Sequence, residues 1–553
     1  MSNAAIFLHP NAFDTTGKAL LGRHSAGESF LRGLIAHADV DQFHFWNAAG
    51  RPQPEMDGLI ERIRPASRPI RWLGQTNRAA LADPGVVYIP SPAIDSEAWH
   101  RRRVGSRRYA LCGVTHTTAT ARVMQILSNM FVAPLEDYDA LICTSSAVRQ
   151  AVEVQLDQAR DYFRHEYGER RRGEPQRATI PLGVNVDDFA PQPGQREAWR
   201  ARLDIPDDAV VALYVGRFSV KTKMNPALMA MALERAAQRS SRPIYWLASG
   251  WTEPESEAEK LHADIRALCP SVHYRLVDGR PADVRFSIWS AADFFISFPD
   301  NIQETFGLTP VEAMAAGLPC VVTDWNGYKD TVRDGLDGFR IPTVAPRPGF
   351  GGDISYWFAN DWMNYENYVA VTAQHVAVDL AAAEAAILRL VEDAELRRTL
   401  GAEAQAQARR VFDWQAIIPQ YQALWAEQDA RRRAAAPDPS PADNPLRPDP
   451  YTLFAGYPTR HIRGDDVVSL GAFSDWPTAQ ARLDGPLASY SRFNRSTHDE
   501  LRAVMEHLLL NGPTPVAKLV ELIAPTRRNF MERGLLWLAR YDVLVVTPAG
   551  PAP

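Results

Sequence analysis

Residues 293–323 read DFFISFPDNIQETFGLTPVEAMAAGLPCVVT. The run opens on a short apolar stretch, DFFISF (293–298), and closes on another, LPCVVT (318–323). Both have the length and the aromatic or β-branched content of strands. PVEAMAAG (310–317) between them is helical, and Pro310 suits a first helical turn. Strand, loop, helix, strand is the repeat of a parallel sheet covered by helices. Such sheets bind ligands outside the carboxyl ends of their strands. The loop leading into the helix is therefore where chemistry is expected.

The alternation continues in both directions. AVVALYVG (209–216), PIYWLAS (243–249), VHYRLV (272–277) and GFRIP (338–342) supply further strands, with a helix over NPALMAMALERAAQ (225–238). Upstream, AAIFLH (4–9), FHFW (43–46), VVYIP (86–90), YALCGV (109–114) and ALICTS (140–145) read as a second strand series. Helices are expected there over 28–38 and 146–167, and further on over 379–400 and 401–433. Two doubly wound α/β units follow, with IPLGVNVDDF (180–189) at the handover. Six prolines between Pro437 and Pro450 read as a stiff linker. Beyond it, three helices (498–511, 515–523, 526–544) and the strand LVVTP (544–548) suggest a small winged-helix-like module. The expected boundaries are 1–183, 184–433, a linker over 434–450, and 451–553.

Composition narrows the function classes. A net charge of −6 argues against a polyanion-binding protein as a whole. In the last module, Arg502, Lys518, Arg527, Arg528, Arg533 and Arg540 are balanced by Asp499, Glu500, Glu506, Glu521, Glu532 and Asp542. DNA readers carry a basic excess, so nucleic acid is disfavoured as a partner. The four cysteines are far apart and form no CxxC pair or Cys/His cluster, which points to neither a disulfide framework nor a zinc site. MSNAAIFLHPNAFD lacks the basic and long apolar regions of a signal peptide, and no run approaches the length of a membrane span. A cytoplasmic location is expected, with peripheral membrane attachment left open.

Chemistry concentrates at two strand ends. Glu304 and Glu312 flank the loop–helix junction, where the backbone N–H groups of Phe306, Gly307 and Leu308 would face a polar or anionic ligand. Gly216-Arg217-Phe218-Ser219-Val220-Lys221-Thr222-Lys223 follows the strand AVVALYV. An Arg and a Lys there can clamp a diphosphate. Lys221 and Lys223 both qualify, and Lys223 is favoured because it leads straight into the next helix.

Residues 304–323 resemble the E-x7-E signature of the family 4 retaining glycosyltransferases, which have the GT-B fold. SAADFFISFPDNIQ (290–303) and NGYKDTVRDGLDGF (326–339) resemble the same family. The resemblance implies that Glu304 and the adjoining amides hold the donor sugar, Glu312 the nucleotide ribose, and Arg217 with Lys223 or Lys221 the diphosphate beside Gly216. It implies that Gly27, in SAGESF (25–30), approaches the donor phosphate, although Ala26 replaces a family glycine and Gly22 is displaced. His116, in GVTHTT (113–118), would lie beside the anomeric carbon, with His9 and His24 on the same rim. Asp278, in Asp278-Gly279-Arg280, would contact the base, or the tripeptide is simply a turn. The aromatic stretch 344–372 is longer than the family's and could stack on sugar, cover the donor or pack between domains.

The implied reaction moves a hexose from a UDP- or GDP-sugar to an acceptor hydroxyl with retention. The acceptor would be a glycan, lipid or protein, and no cofactor or metal is expected. Competing readings are another GT-B enzyme (a sugar-nucleotide epimerase or a phosphorylase) and a non-catalytic nucleotide-sugar-binding regulatory protein. Self-association is left open.

Overall fold

The computed structural model describes residues 3–13, 22–168, 173–437, 443–491 and 495–550, the side chains of 22–25 excepted. The chain divides into two compact units, Met1–Asp443 and Asn444–Pro553. Residues 438–442 of the proline-rich stretch, and the side chain of His24, lie outside the described residues.

The first unit contains two parallel sheets. The first is built from β1 (Ala5–Leu8), β2 (Phe43–Asn47), β3 (Ile70–Leu73), β4 (Val86–Ile89), β5 (Ala110–Val114), β6 (Ala140–Cys143) and β7 (Gln176–Thr179). Its order is β3-β2-β1-β4-β5-β6-β7. The second is built from β8 (Val210–Val215), β9 (Ile244–Gly250), β10 (His273–Asp278), β11 (Phe294–Ser297), β12 (Cys320–Thr323) and β13 (Gly338–Ile341). Its order is β10-β9-β8-β11-β12-β13. Both sheets therefore reverse direction once, between β1 and β4 and between β8 and β11. This is the Rossmann-like arrangement, in which the crevice at the reversal receives ligands. Two such sheets in one unit follow the GT-B plan.

Central strands are buried on both faces, as helices on either side of a sheet require. All seven residues of β9 are buried. The four cysteines are buried and unpaired.

One helical expectation needs correction. The stretch 379–400 is not one helix. Asp393 ends Leu380–Glu392 and starts Ala394–Gln407, its carboxylate accepting the Leu396 N–H at 2.8 Å. The long helix Trp414–Ala434, which follows the second sheet in sequence, packs on the first sheet. Trp414, Ile417, Ile418, Tyr421 and Trp425 are buried there, with the Trp414 ring 5.6 Å from that of Phe30. The Gln428 amide donates to the Leu111 and Tyr138 carbonyls at 2.8 and 3.0 Å, closing a polar group inside an apolar contact.

The second unit has helices Trp476–Asp484, His498–Asn511, Val516–Glu521 and Arg528–Arg540. They pack with a small antiparallel sheet of β16 (Val467–Leu470), β17 (Thr514–Pro515) and β18 (Leu544–Thr547). In the first unit, β14 (Thr343–Val344) and β15 (Ala377–Val378) pair antiparallel and close the base of the aromatic insertion. Among the described residues, no helix is long and apolar enough to cross a membrane.

Candidate active site

The reversal point of the second sheet gathers the expected residues. β8 ends at Val215, and the chain turns at Gly216 with φ +152°. A Cβ there would lie 2.7 Å from the Tyr214 hydroxyl. Gly250, ending β9, approaches so closely that its own Cβ would meet the Gly216 carbonyl oxygen at 1.8 Å. Glycine is required at both positions to hold the two strand ends together.

Arg217 follows. Its side chain is mostly covered and ion-paired with Glu253, which itself stays exposed. Lys223 is drawn toward the cleft by the turn Ser219–Lys223, in which its N–H reaches the Ser219 carbonyl at 2.9 Å. Its ammonium stands 3.5 Å from the Glu304 carboxylate. The strand ends of β8 and β11 thus meet through an ion pair. Lys221 behaves differently. Its side chain is exposed, and its carbonyl accepts from the Asn301 amide at 2.7 Å.

Glu304 lies among polar groups. Its carboxylate accepts the Thr305 N–H at 3.2 Å, and its carbonyl accepts from Asn326. The phenols of Tyr214 and Tyr328 are pushed well above their ordinary pKa, by burial first and by the charge of Glu304 second. Both hydroxyls therefore stay protonated donors beside that carboxylate.

The helix Leu308–Ala315 begins after Gly307, whose φ is +88°. A Cβ at Gly307 would sit 2.0 Å from the Tyr328 ring. The N–H groups of Phe306, Gly307 and Leu308 have no acceptor among the described residues, as the open first turn of a helix provides. Glu312, partly buried on this helix, has its carboxyl lifted to about 7 by burial, with Arg285 pulling the other way. Asp300 is buried, its pKa also raised by burial to about 6. A carboxyl that titrates near neutrality in a strand-end crevice is a mark of functional sites.

The first sheet meets this loop through Thr305. Its hydroxyl donates to the His116 carbonyl, in the loop after β5. Its carbonyl accepts from the Ser145 hydroxyl at 2.7 Å. Ser145 also caps the helix Ser146–Tyr167, accepting the Val148 N–H at 3.2 Å. Ser146 gives both its N–H and its hydroxyl to Asp330. His116 is thereby brought against the Glu304 loop.

Two expected residues are placed elsewhere. The helix over 28–38 begins earlier, at Gly22, so Gly27 lies within a helix and not in a phosphate-facing loop. A Cβ at Gly27 would be 2.0 Å from the Ala12 carbonyl oxygen. Close packing against the short helix Pro10–Phe13 accounts for that glycine. Asp278 ends the edge strand β10, two strands from the reversal, and is exposed. Arg280 pairs with it at 2.9 Å and holds its carboxyl below the usual range. It forms the turn and is not among the gathered residues. His9 follows β1, at the other sheet's reversal.

Sequence reading missed Thr305, Ser145, Ser146, Asp330, Glu253 and Arg285, whereas Tyr365 lies in the aromatic stretch it singled out. Burial raises the pKa of the Tyr365 phenol, while Thr117 and the charge of Arg217 act on it in the opposite direction. Thr305 could have been found, since it lies inside the quoted motif. Among the described residues, no group of three or more His, Cys, Asp or Glu could hold a metal ion.

Part of the chain resembles known proteins. Residues 195–347 match the family described as glycosyl transferases group 1. D-inositol 3-phosphate glycosyltransferase of Streptomyces scabiei is 33% identical over 176 residues, which is 31% of this chain and 38% of that protein. D-inositol 3-phosphate glycosyltransferase 1 of Catenulispora acidiphila is 29% identical over 319 residues, covering 52% and 70%. The chain spans about two fifths of the length of the first of these relatives. Among solved structures, sucrose-phosphate synthase of Thermosynechococcus elongatus aligns with TM-score 0.48 and 17% identity over 78% of this chain and 100% of that one. Anabaena HepE in complex with UDP and glucose aligns with TM-score 0.47 and 15% identity, over 77% and 100%.

Proposed function

We propose that this protein is a retaining glycosyltransferase that moves a hexose from a nucleoside-diphosphate sugar, UDP- or GDP-linked, to a hydroxyl of a glycan, lipid or protein acceptor. The observation that carries this reading is the Lys223–Glu304 ion pair at the sheet reversal, beside Arg217 and the open amides of 306–308. It joins a group suited to phosphate with one suited to sugar hydroxyls.

The barrier to transfer is departure of the diphosphate from an oxocarbenium-like carbon. Arg217 and Lys223 supply positive charge where negative charge grows, and they are positioned before reaction begins. Each cation has a carboxylate partner. The diphosphate would replace Glu253 on Arg217, since that carboxylate is exposed and free to turn away. Glu304 would accept hydrogen bonds from the sugar hydroxyls and keep Lys223 aimed at the phosphate. Glu312 would accept from the ribose hydroxyls, and the amides of Phe306, Gly307 and Leu308 would donate to sugar or phosphate oxygens. With the acceptor on the same face as the leaving group, the departing phosphate can take the acceptor proton, so no separate carboxylate base is required. His116 would line that face. No metal or cofactor enters the scheme, and the protein is expected to work in the cytoplasm.

A donor panel read by thermal shift tests the proposal. A true donor at 100-fold its Kd adds about 2.7 kcal/mol of stability. Glu304→Gln should lose most of that shift for the nucleotide sugar while keeping part of it for the free nucleoside diphosphate. If no nucleotide sugar shifts the parent chain, or Glu304→Gln leaves binding and turnover intact, the proposal fails. Diphosphate release that needs an acceptor separates a transferase from an epimerase.

A further inference from the structure

The 32 residues between β14 and β15 form a helical hairpin. Its outer helix, Gly352–Ala359, has no buried residue. Its inner helix, Tyr365–Ala373, is anchored by buried Val369 and Ala373. Phe358 and Tyr368 stack between the two at 4.1 Å. The outer surface is aromatic: Tyr356, Trp357 and Trp362 are 57%, 48% and 71% exposed. Monomer surfaces rarely gather such rings without a binding role.

These rings are held in place. The Trp357 carbonyl accepts the N–H groups of Trp362 and Met363 at 3.0 and 3.2 Å. The Asn360 amide donates to the Tyr356 carbonyl at 2.8 Å. The Tyr356 and Trp362 rings meet edge to face, at 5.6 Å and 90°, making a corner of two perpendicular apolar planes. The hairpin also lies near the candidate active site: Thr117, next to His116, and the charge of Arg217 both act on the phenol of Tyr365 at its inner end.

We infer that this hairpin is an acceptor subsite that binds a neutral oligosaccharide, an inference that rests on the glycosyltransferase reading above. A pyranose ring presents an apolar C–H face and a rim of hydroxyls. Fixed Trp and Tyr rings with polar tips match the face. Asn360, Asp361 and Asn364 lie on the turn between the helices, where they match the rim. Charge selects against an anionic lipid surface. Asp353, Asp361 and Glu366 outnumber the single Arg347, whose guanidinium lies over Phe350 at 4.5 Å. An acidic hairpin is repelled by anionic headgroups, which recruit Lys and Arg instead.

The test uses the full chain and three neutral probes: maltohexaose, cellohexaose and chitohexaose at millimolar concentration. Binding is read by tryptophan fluorescence and ligand-observed NMR. At least one probe should bind, and Trp357→Ala and Trp362→Ala should each weaken it by about tenfold, which is about 1.4 kcal/mol. Tyr457→Ala, an exposed ring of the other unit, should bind like the parent. The inference is overturned if no probe binds, if the double variant binds as well as the parent, or if phosphatidylcholine vesicles and no sugar are captured through these rings. Donor thermal shifts on the parent chain keep the two readings apart. Sugar probes that bind while no nucleotide sugar does would sink the proposed function and leave the rings as a sugar-binding surface with no acceptor role, and the reverse result would sink this inference alone.

Discussion

The two sheets of the first unit share one strand order, yet they contribute to the candidate site by different means. In the second sheet, side chains carry the contribution: Arg217, Lys223 and Glu304 project from strand ends, and Lys223 and Glu304 meet at 3.5 Å. In the first, the contacts run largely through backbone and hydroxyl groups: the His116 carbonyl and the Ser145 hydroxyl hold Thr305. The difference is one of division of labour. The second sheet carries charge, and the first fixes where that charge stands.

The largest effect expected from breaking this pairing is structural. The first sheet is completed by a helix that arrives only after the second has been made. Trp414 is fully buried, its indole N–H reaches Ser29 at 2.8 Å, and its ring lies where a Cβ on Gly33 would be. Trp414→Ala should cost about 3–5 kcal/mol. Denaturant unfolding should show the loss in the first half, with the β8–β13 half less affected.

Arg217→Ala strikes the second half instead. Turnover should fall about 10²–10³-fold, the usual cost of removing one charge-stabilising group. Stability should change little, because its partner Glu253 is exposed and such pairs contribute ~0–1 kcal/mol. A variant with unchanged turnover would remove Arg217 from the charge-bearing role.

Gly307→Ala probes the junction between loop and helix. It adds a Cβ 2.0 Å from the Tyr328 ring at a φ of +88°. The combined strain and overlap should cost about 2–4 kcal/mol. Gly335→Ala is the control, since its φ is +73° but nothing lies within 4 Å of a Cβ. It should lose only ~1 kcal/mol, so the difference between the two melting shifts isolates the clash.

The pH dependence of donor binding comes next. The folded pKa of Glu312, about 7, lies above the ordinary carboxyl value. Its ionised form is thus disfavoured by folding, and this group's contribution to stability is fully present below the ordinary value and lost as pH rises through 7. Nucleotide binding runs the opposite way, because ribose hydroxyls need the carboxylate as acceptor. Affinity should fall about tenfold per pH unit below 7, and Glu312→Gln should flatten that slope in a calorimetric series.

Legibility followed burial. Most interior strands of both sheets are continuous apolar runs and can be read directly. β3 (IRWL) and β7 (QRAT) escaped notice because they are the two edge strands of the first sheet, half wet and interrupted by arginine. The Glu304–Glu312 and Arg217–Lys223 elements were readable because their spacing is local. Glu253 and Ser145 were not, since each reaches its partner from a distant part of the chain. Gly27 misled because a glycine needed for helix packing looks the same in sequence as one needed for a phosphate loop.

The smallest effect expected is also the most direct probe of how the first sheet steadies the second. Thr305→Val keeps the shape and deletes only the hydroxyl that donates to the His116 carbonyl. One neutral hydrogen bond contributes about 1 kcal/mol, so the variant should lose about that much. Ser145→Ala removes the donor to the Thr305 carbonyl and one helix cap together, so it should cost about 1–2 kcal/mol. Both act on one residue, and their effects should not add. A double-mutant cycle should show coupling of at least about 0.5 kcal/mol. Strict additivity would mean that the two contacts hold the Glu304 loop independently, and the first sheet would then be a neighbour of the site and not the frame that positions it.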